Sequence, residues 1–123
     1  MVEYQYGFEK LKVWQNARNL VAFVYKVTNN FPKEEKFGLA DQLKRAVISV
    51  SANIAEGCSR LTAKDQAHFT NLAYSSLMEV LSHFYLAFDL NFIDIHLMNE
   101  IKGKIFEISN PLNALRKSQV KNK

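Results

Sequence analysis

The stretch Leu39-Ala40-Asp41-Gln42-Leu43-Lys44-Arg45-Ala46-Val47-Ile48-Ser49-Val50-Ser51-Ala52-Asn53-Ile54-Ala55-Glu56-Gly57-Cys58-Ser59-Arg60 decides how the rest of the chain is read. Turned at about 100° per residue, it puts Leu43, Ala46, Val47, Val50 and Ile54 on one face, an apolar stripe of ordinary helical width. Beside the stripe runs a polar row, Gln42, Ser49, Asn53, Glu56 and Arg60, on its flank rather than opposite it. On the far side Ile48, Ala52 and Ala55 form a short apolar strip that a helix of a monomeric bundle does not need. The pattern implies a helix covered on more than one side.

The next segment completes the argument. Thr62 is the predicted N-cap of a helix running from about Ala63 to Leu90, with Asp65 three residues on as a weaker relative of the Ser/Thr-to-Glu capping box. That helix carries one apolar stripe through Phe69, Ala73, Leu77, Val80, Phe84 and Ala87, and a second through Tyr74, Met78, Leu81, Tyr85 and Phe88. A helix apolar on two faces is buried on two sides, and in so short a chain another subunit covers the second side most simply. Between the stripes lies a mixed row containing Ser76, Glu79 and His83, which is predicted to face the polar row of the preceding helix. Small residues at Ala73, Ser75 and Ser76 allow the two backbones to approach closely.

Working outward, a first helix is expected from about Glu9 to Asn29, on the spacing of Trp14, Ala17, Val21, Val24, Tyr25 and Thr28, with Val13 and Leu20 widening its stripe. Phe31-Pro32 turns the chain, because the residue before proline is pushed out of the α region. The second helix is then expected from near Lys33, through Gly38 at a cost of about 1 kcal/mol, to Gly57 or Ser59, with Gly57 as its left-handed C-terminal residue. Asn91 is a C-cap for the third helix and Asp94 an N-cap for the fourth, whose Met98, Ile101, Ile105, Ile108, Leu112 and Leu115 form a heptad-like seam. Pro111 cannot donate to the Glu107 carbonyl, so the fourth helix is expected to kink or break near Ser109. Four helices joined by short connections give an all-α, antiparallel up-down-up-down four-helix bundle. It is read as one domain over residues 1–123, with an N-terminal arm at 1–8 rich in Tyr4, Tyr6 and Phe8 that lies against the bundle, and a basic tail at 118–123.

Composition bounds the function. A chain of 123 residues can bury a core without disulfides or metal, and its six Gly and Pro residues leave little room for disorder. The lone Cys58 forms no internal disulfide, and no window approaches a membrane span or a signal peptide, so a reducing cytoplasmic setting and no membrane partner are expected. Of the net charge of +4, the segment from Lys102 to Lys123 holds six cations against Glu107 alone, a local excess of +5, and leaves −1 for the rest. Lys102, Lys104, Arg116 and Lys117 there, with Lys44, Arg45, Arg60 and Lys64 on and after the second helix, are the cations to contact phosphates of a nucleic acid. The plainer reading of both groups is solvated surface charge.

No catalytic constellation emerges. Glu79 and His83, four residues apart, can pair, but no third ligand converges on them from His68 or His96, so no metal is expected and a structural Glu–His hydrogen bond is. Ser49, Ser51 and Ser76 lack a nucleophile elbow, Cys58 lacks a general base, and no glycine-rich phosphate loop exists. No cofactor and no small-molecule substrate are predicted. The seam of Gln42, Ser49, Asn53, Glu56, Ser76, Glu79 and His83 is read as a hydrogen-bond network that fixes helix register or joins subunits, with a ligand-facing groove as the sharper alternative.

The same residues carry a resemblance. Gln42-Leu43-Lys44-Arg45-Ala46, Ser49-Val50, Asn53-Ile54-Ala55-Glu56-Gly57 and Arg60 resemble the signature of the small four-helix-bundle proteins encoded in intervening sequences of bacterial 23S ribosomal RNA genes. Leu11-Lys12-Val13-Trp14 with Ala17, Phe31-Pro32 with Glu34-Glu35-Lys36-Phe37-Gly38-Leu39, and Ala73 with Ser76, Glu79 and Asp89-Leu90 extend it over about the first three quarters of the chain. Pro111 departs from that pattern. The resemblance implies a four-helix bundle assembled as a homopentamer, distantly related to the strongly basic, nucleic-acid-binding accessory proteins of diversity-generating retroelements. The near-balanced charge outside the last helix fits those relatives less well. Taken together, the sequence predicts a non-enzymatic homo-oligomeric bundle that contacts RNA or DNA through phosphates, with a protein–protein scaffold lacking nucleic-acid affinity as the alternative.

Overall fold

The computed structural model describes residues 3–121, so Lys123, counted above in the basic tail, lies outside the described residues. Four helices make up the fold: α1 (Lys12–Thr28), α2 (Leu39–Ser59), α3 (Ala63–Asp89) and α4 (Ile95–Lys121). Short 3-10 turns at Gly7–Lys10 and Lys33–Glu35 precede α1 and α2. Side chains met across the bundle give its direction. Tyr25 meets Lys44, Gly57 meets Phe69, and α3 and α4 meet at Tyr85 with Lys102 and at Asn71 with Arg116, so consecutive helices run in opposite senses. No helix among the described residues is long and apolar enough to cross a membrane.

The core forms where the apolar periods face inward. Leu43, Val47 and Val50 of α2, Leu77, Val80 and Phe84 of α3, and Met98, Ile101, Ile105, Ile108 and Leu112 of α4 are buried together. On α1 the buried stripe is Val13, Ala17, Leu20, Val24, Val27 and Thr28, whereas Trp14 and Val21 sit on its flank and Tyr25 is 43% exposed. The expected stripe is kept at Val13, Ala17, Leu20, Val24 and Thr28, but its centre is turned away from Trp14, Val21 and Tyr25 toward Val27. The two centres differ by little more than half a residue's turn, and the positions of α2 and α4 select between them.

Local chemistry sets the ends. The hydroxyl of Thr62 accepts from the Asp65 N–H (3.1 Å), and the Asp94 carboxylate accepts from the Leu97 N–H (2.8 Å), so both predicted N-caps hold. Helix α3 ends with Asn91 at φ 64, the Phe92 N–H donating to Ala87 O (2.8 Å) and the Asn91 N–H to Phe88 O (3.0 Å), a Schellman closure. Phe92 is thereby turned onto Phe31, ring centroids 5.4 Å apart, which ties the α3–α4 corner to the α1–α2 turn.

Three expectations are corrected. Helix α2 begins at Leu39 rather than Lys33, because the Glu35 carboxylate accepts from the Leu39 N–H (3.1 Å) and caps it from outside; Gly38 is its N-cap, not an interior residue. Gly57 does not end α2 and takes no positive φ. It is buried, and a Cβ there would lie 3.2 Å from Phe69 Cβ and 3.3 Å from Gln66 O, so glycine serves the approach of α2 to α3. Helix α4 is not broken at Pro111 but continues to Lys121. Pro111 and Glu107 are both exposed, so water can satisfy the carbonyl that proline leaves unpaired, while Ile108 and Leu112 hold the helix to the core.

Two glycine substitutions should therefore act in opposite directions. Gly57→Ala is expected to lower stability by about 1–3 kcal/mol through overpacking. Gly103, with nothing within 4 Å of its notional Cβ on an exposed helical face, should gain on the order of 0.5–1 kcal/mol as Gly103→Ala. Thermal or urea unfolding of the two variants beside wild type checks both signs.

Candidate functional site

The polar rows of α2 and α3 meet at one point. The Ser49 and Ser76 hydroxyls are 2.9 Å apart across the helix pair, and Asn53 donates its amide to both the carbonyl (2.9 Å) and the hydroxyl (3.0 Å) of Ser49. These three side chains are half-buried and form a small network between the helices. The rest of the predicted seam closes within single helices: Glu56 pairs with Arg60 (2.8 Å) and Glu79 Oε2 lies 3.3 Å from His83 Nε2. Both His83 ring nitrogens are buried without a hydrogen-bond partner, so the expected Glu–His hydrogen bond is present only as a charge contact when the imidazole is protonated. Gln42 is exposed on the same row and stands apart from the network.

Around this network exposed apolar side chains alternate with the exposed Gln42, Glu56 and Glu79. Ile48 is 45% exposed and Ala52 lies beside it on α2, while Leu72, Leu86 and Leu90 on α3 are 39, 48 and 56% exposed. Leu72, Glu79, His83, Leu86 and Leu90 step by three and four residues around Ser76, so they share its side of α3. The N-terminal arm borders the α2 part of this face. Tyr6, Gly7 and Phe8 enclose a concavity of about 430 Å³ with Ala52, Ala55, Glu56, Cys58 and Ser59. Phe8 is anchored on Trp14 at a centroid distance of 4.8 Å, and the Glu9 carboxylate accepts from the Tyr6 N–H (2.8 Å).

The eight predicted phosphate-contacting cations do not form one patch. Lys44 on α2 and Arg60 at its C-cap are sixteen residues apart, about 24 Å along the helix axis. Arg45 is paired with Asp41 (2.9 Å) and Arg60 with Glu56, while the Arg60 guanidinium also covers the Phe69 ring at 4.5 Å. Arg116 is occupied as well: it donates to Asn71 (3.1 Å) and to Asn113, and lies 4.0 Å over the Tyr74 ring. Lys102 and Lys104 leave α4 on different sides, over Tyr85 of α3 (5.6 Å) and Phe23 of α1 (4.7 Å). Lys64, in the first turn of α3, and Lys117 are exposed. Cations here cover half-buried rings with their stems and keep their charge in water.

One grouping was not anticipated. Lys33 and Lys36, in the turn between α1 and α2, share with Lys44 a concavity of about 380 Å³ that Thr28, Asn29 and Phe31 also line. In the sequence Lys33-Glu34-Glu35-Lys36 reads as an ordinary first helical turn; the 3-10 turn instead stops at Glu35, and Lys33 and Lys36 line one concavity with Lys44. Among the described residues, no three His, Cys, Asp or Glu side chains gather as metal ligands.

The Ser49–Ser76 contact is open to a double-mutant cycle. Ser49→Ala and Ser76→Ala are each expected to cost about 1 kcal/mol, with a coupling energy of at least about 0.5 kcal/mol in the double variant. Strict additivity in urea unfolding would show that the hydroxyls do not interact.

The comparisons with known proteins follow the fold. A family model described as 23S rRNA-intervening sequence protein matches residues 9–114. A crystal structure of a protein with unknown function from the S23 ribosomal protein family, from Bacteroides thetaiotaomicron VPI-5482, superposes with a TM-score of 0.77 at 21% identity, covering 85% of this chain and 98% of that one. No curated protein matches this chain.

Proposed function

The chain belongs to the 23S rRNA-intervening sequence protein family, and from that premise we propose a non-enzymatic cytoplasmic bundle that assembles with copies of itself and contacts RNA or DNA through phosphates. The observation that carries the assembly is the set of exposed apolar side chains, Ile48 on α2 with Leu72, Leu86 and Leu90 on α3, that flank the Ser49–Ser76 network and the exposed Glu79. Burying such a set removes apolar area from water at roughly 25 cal/mol per Å², and the serine and asparagine groups give the contact a polar register. Five subunits is the number that the family resemblance implies, and the open face is compatible with any ring in which one copy covers the next.

Phosphate contact is supported by a second observation. Lys33, Lys36, Lys44, Lys64, Lys102, Lys104 and Lys117 make no ion pair among the described residues, in contrast to Arg45 and Arg60. Their ammonium groups are available to polyanions, although they are spread over the bundle rather than collected. A scaffold that assembles but binds no nucleic acid would use the same apolar side chains and is the outcome the binding measurement separates.

Light scattering on purified protein should give a mass several times that of one chain, and Ile48→Glu with Leu86→Glu should reduce it toward the monomer while leaving the helical circular dichroism intact. A monomeric wild type would remove the assembly reading. Binding to structured RNA, single-stranded DNA and duplex DNA should weaken log-linearly with salt, by a slope of about −0.9 per neutralised phosphate on duplex. Absence of binding at low salt would leave the scaffold.

A further inference from the structure

Building on the phosphate-binding reading, we propose that the turn between α1 and α2 is a binding site for single-stranded nucleic acid, with Lys33, Lys36 and Lys44 on its phosphates and the Phe37 ring stacked on a base. Phe37 is 86% exposed, although the chain has a core to place it in. It is not on a loose end. The Glu35 N–H donates to Pro32 O (2.9 Å), the Lys36 N–H to Lys33 O (3.2 Å) and the Gly38 N–H to Glu35 O (3.0 Å), and the Glu35 side chain is bonded to the first N–H of α2. A Cβ at Gly38 would fall 2.9 Å from that carboxylate, so the turn is closed tightly around its cap. The backbone holds an aromatic ring out into water.

Beside the ring, unpaired cations outnumber free carboxylates. The Lys36 ammonium lies 5.4 Å from the Phe37 centroid, and the same Lys36 lines the 380 Å³ concavity with Lys33 and Lys44, with the polar Thr28 and Asn29 on its wall. None of the three ammonium groups is paired with a carboxylate among the described residues. Glu35 is consumed in capping α2, Asp41 is paired with Arg45, and Glu34 is the exposed carboxylate that opposes them. Elsewhere among the described residues exposed rings also meet unpaired lysines, Tyr85 with Lys102 and Tyr25 with Lys44, but those rings are 41 and 43% exposed and lie on helix flanks. Leu61 is 98% exposed at the other end of α2, but it offers no π-face and its neighbour Arg60 is already bound to Glu56.

An aromatic ring flanked by cations is the pairing that sequence-tolerant single-strand sites use, because every base has a π-face and every nucleotide a phosphate. A duplex keeps its base faces inside the stack, so it can use the lysines here but not the ring. The site should therefore prefer a strand over a duplex of equal charge, and either RNA or DNA strands carry the chemistry it needs.

The test is fluorescence anisotropy with short labelled oligouridylate, oligothymidylate and a hairpin duplex, on protein of confirmed mass and helicity. Wild type should favour the two single strands. Phe37→Ala is expected to weaken them on the order of ten-fold, in line with base–aromatic stacking, with hairpin binding unchanged. Lys33→Gln with Lys36→Gln should flatten the single-strand salt slope by roughly 1.4, about 0.7 for each phosphate released. Glu34→Gln should tighten binding, and Leu61→Ala should leave it as it is. If wild type binds nucleic acid but these variants bind as tightly, the strand lies elsewhere, so this site is overturned while the phosphate reading stands. If Phe37→Ala instead lowers the assembled mass, the ring is a protein contact and the proposal is wrong. Wild type that binds none of the three probes at low salt overturns both.

Discussion

The close approach of α2 to α3 is the constraint on which the other features depend. At Gly57 the α2 backbone lies so near Phe69 and the Gln66 carbonyl that even a methyl group would force a neighbour to move. Further along the same helix pair, only a hydroxyl on each side separates the backbones at Ser49 and Ser76. Because the two helices lie this close, the seven buried residues of α2 and the seven of α3 interlock, and the polar rows are brought to one edge of the contact. The edge is then polar at its centre, with exposed apolar side chains beside it.

Charge follows from the same packing. In a bundle whose two middle helices are apolar on more than one side, aromatic rings reach the surface at Tyr25, Phe69, Tyr74 and Tyr85, and cations from neighbouring helices lie over them. This spreads positive charge around the barrel of helices instead of concentrating it. It also explains why a local excess counted along the sequence of the last segment does not become a patch: successive positions on a helix point in different directions. The α1–α2 turn differs because the chain there is not helical across Lys36 and Phe37, and neither residue is drawn onto a helix flank.

Corners matter as much as helices. The left-handed Asn91 turns Phe92 back to Phe31, and that contact supports the turn carrying Lys33, Lys36 and Phe37 from beneath. The capping of α2 by Glu35 supports it from the other side. A turn held at both ends can keep a large ring exposed without letting it collapse onto the bundle, and this rigidity separates Phe37 from a merely disordered apolar residue.

The number of helices, their caps at Thr62, Asp94 and Asn91, and the core rows of α2, α3 and α4 were legible in the sequence, since helical periodicity and capping chemistry are local. The meeting of Ser49 with Ser76 was legible too, because small polar residues on two apolar helices leave few other partners. Which stripe of α1 faces inward, why residue 57 is glycine, whether α4 survives Pro111, and which cations share a surface were decided by the tertiary structure alone. Each of these depends on distances between segments far apart in the chain, and a carboxylate such as Glu35 shows whether it repels a phosphate or caps a helix only once the fold has placed its partner.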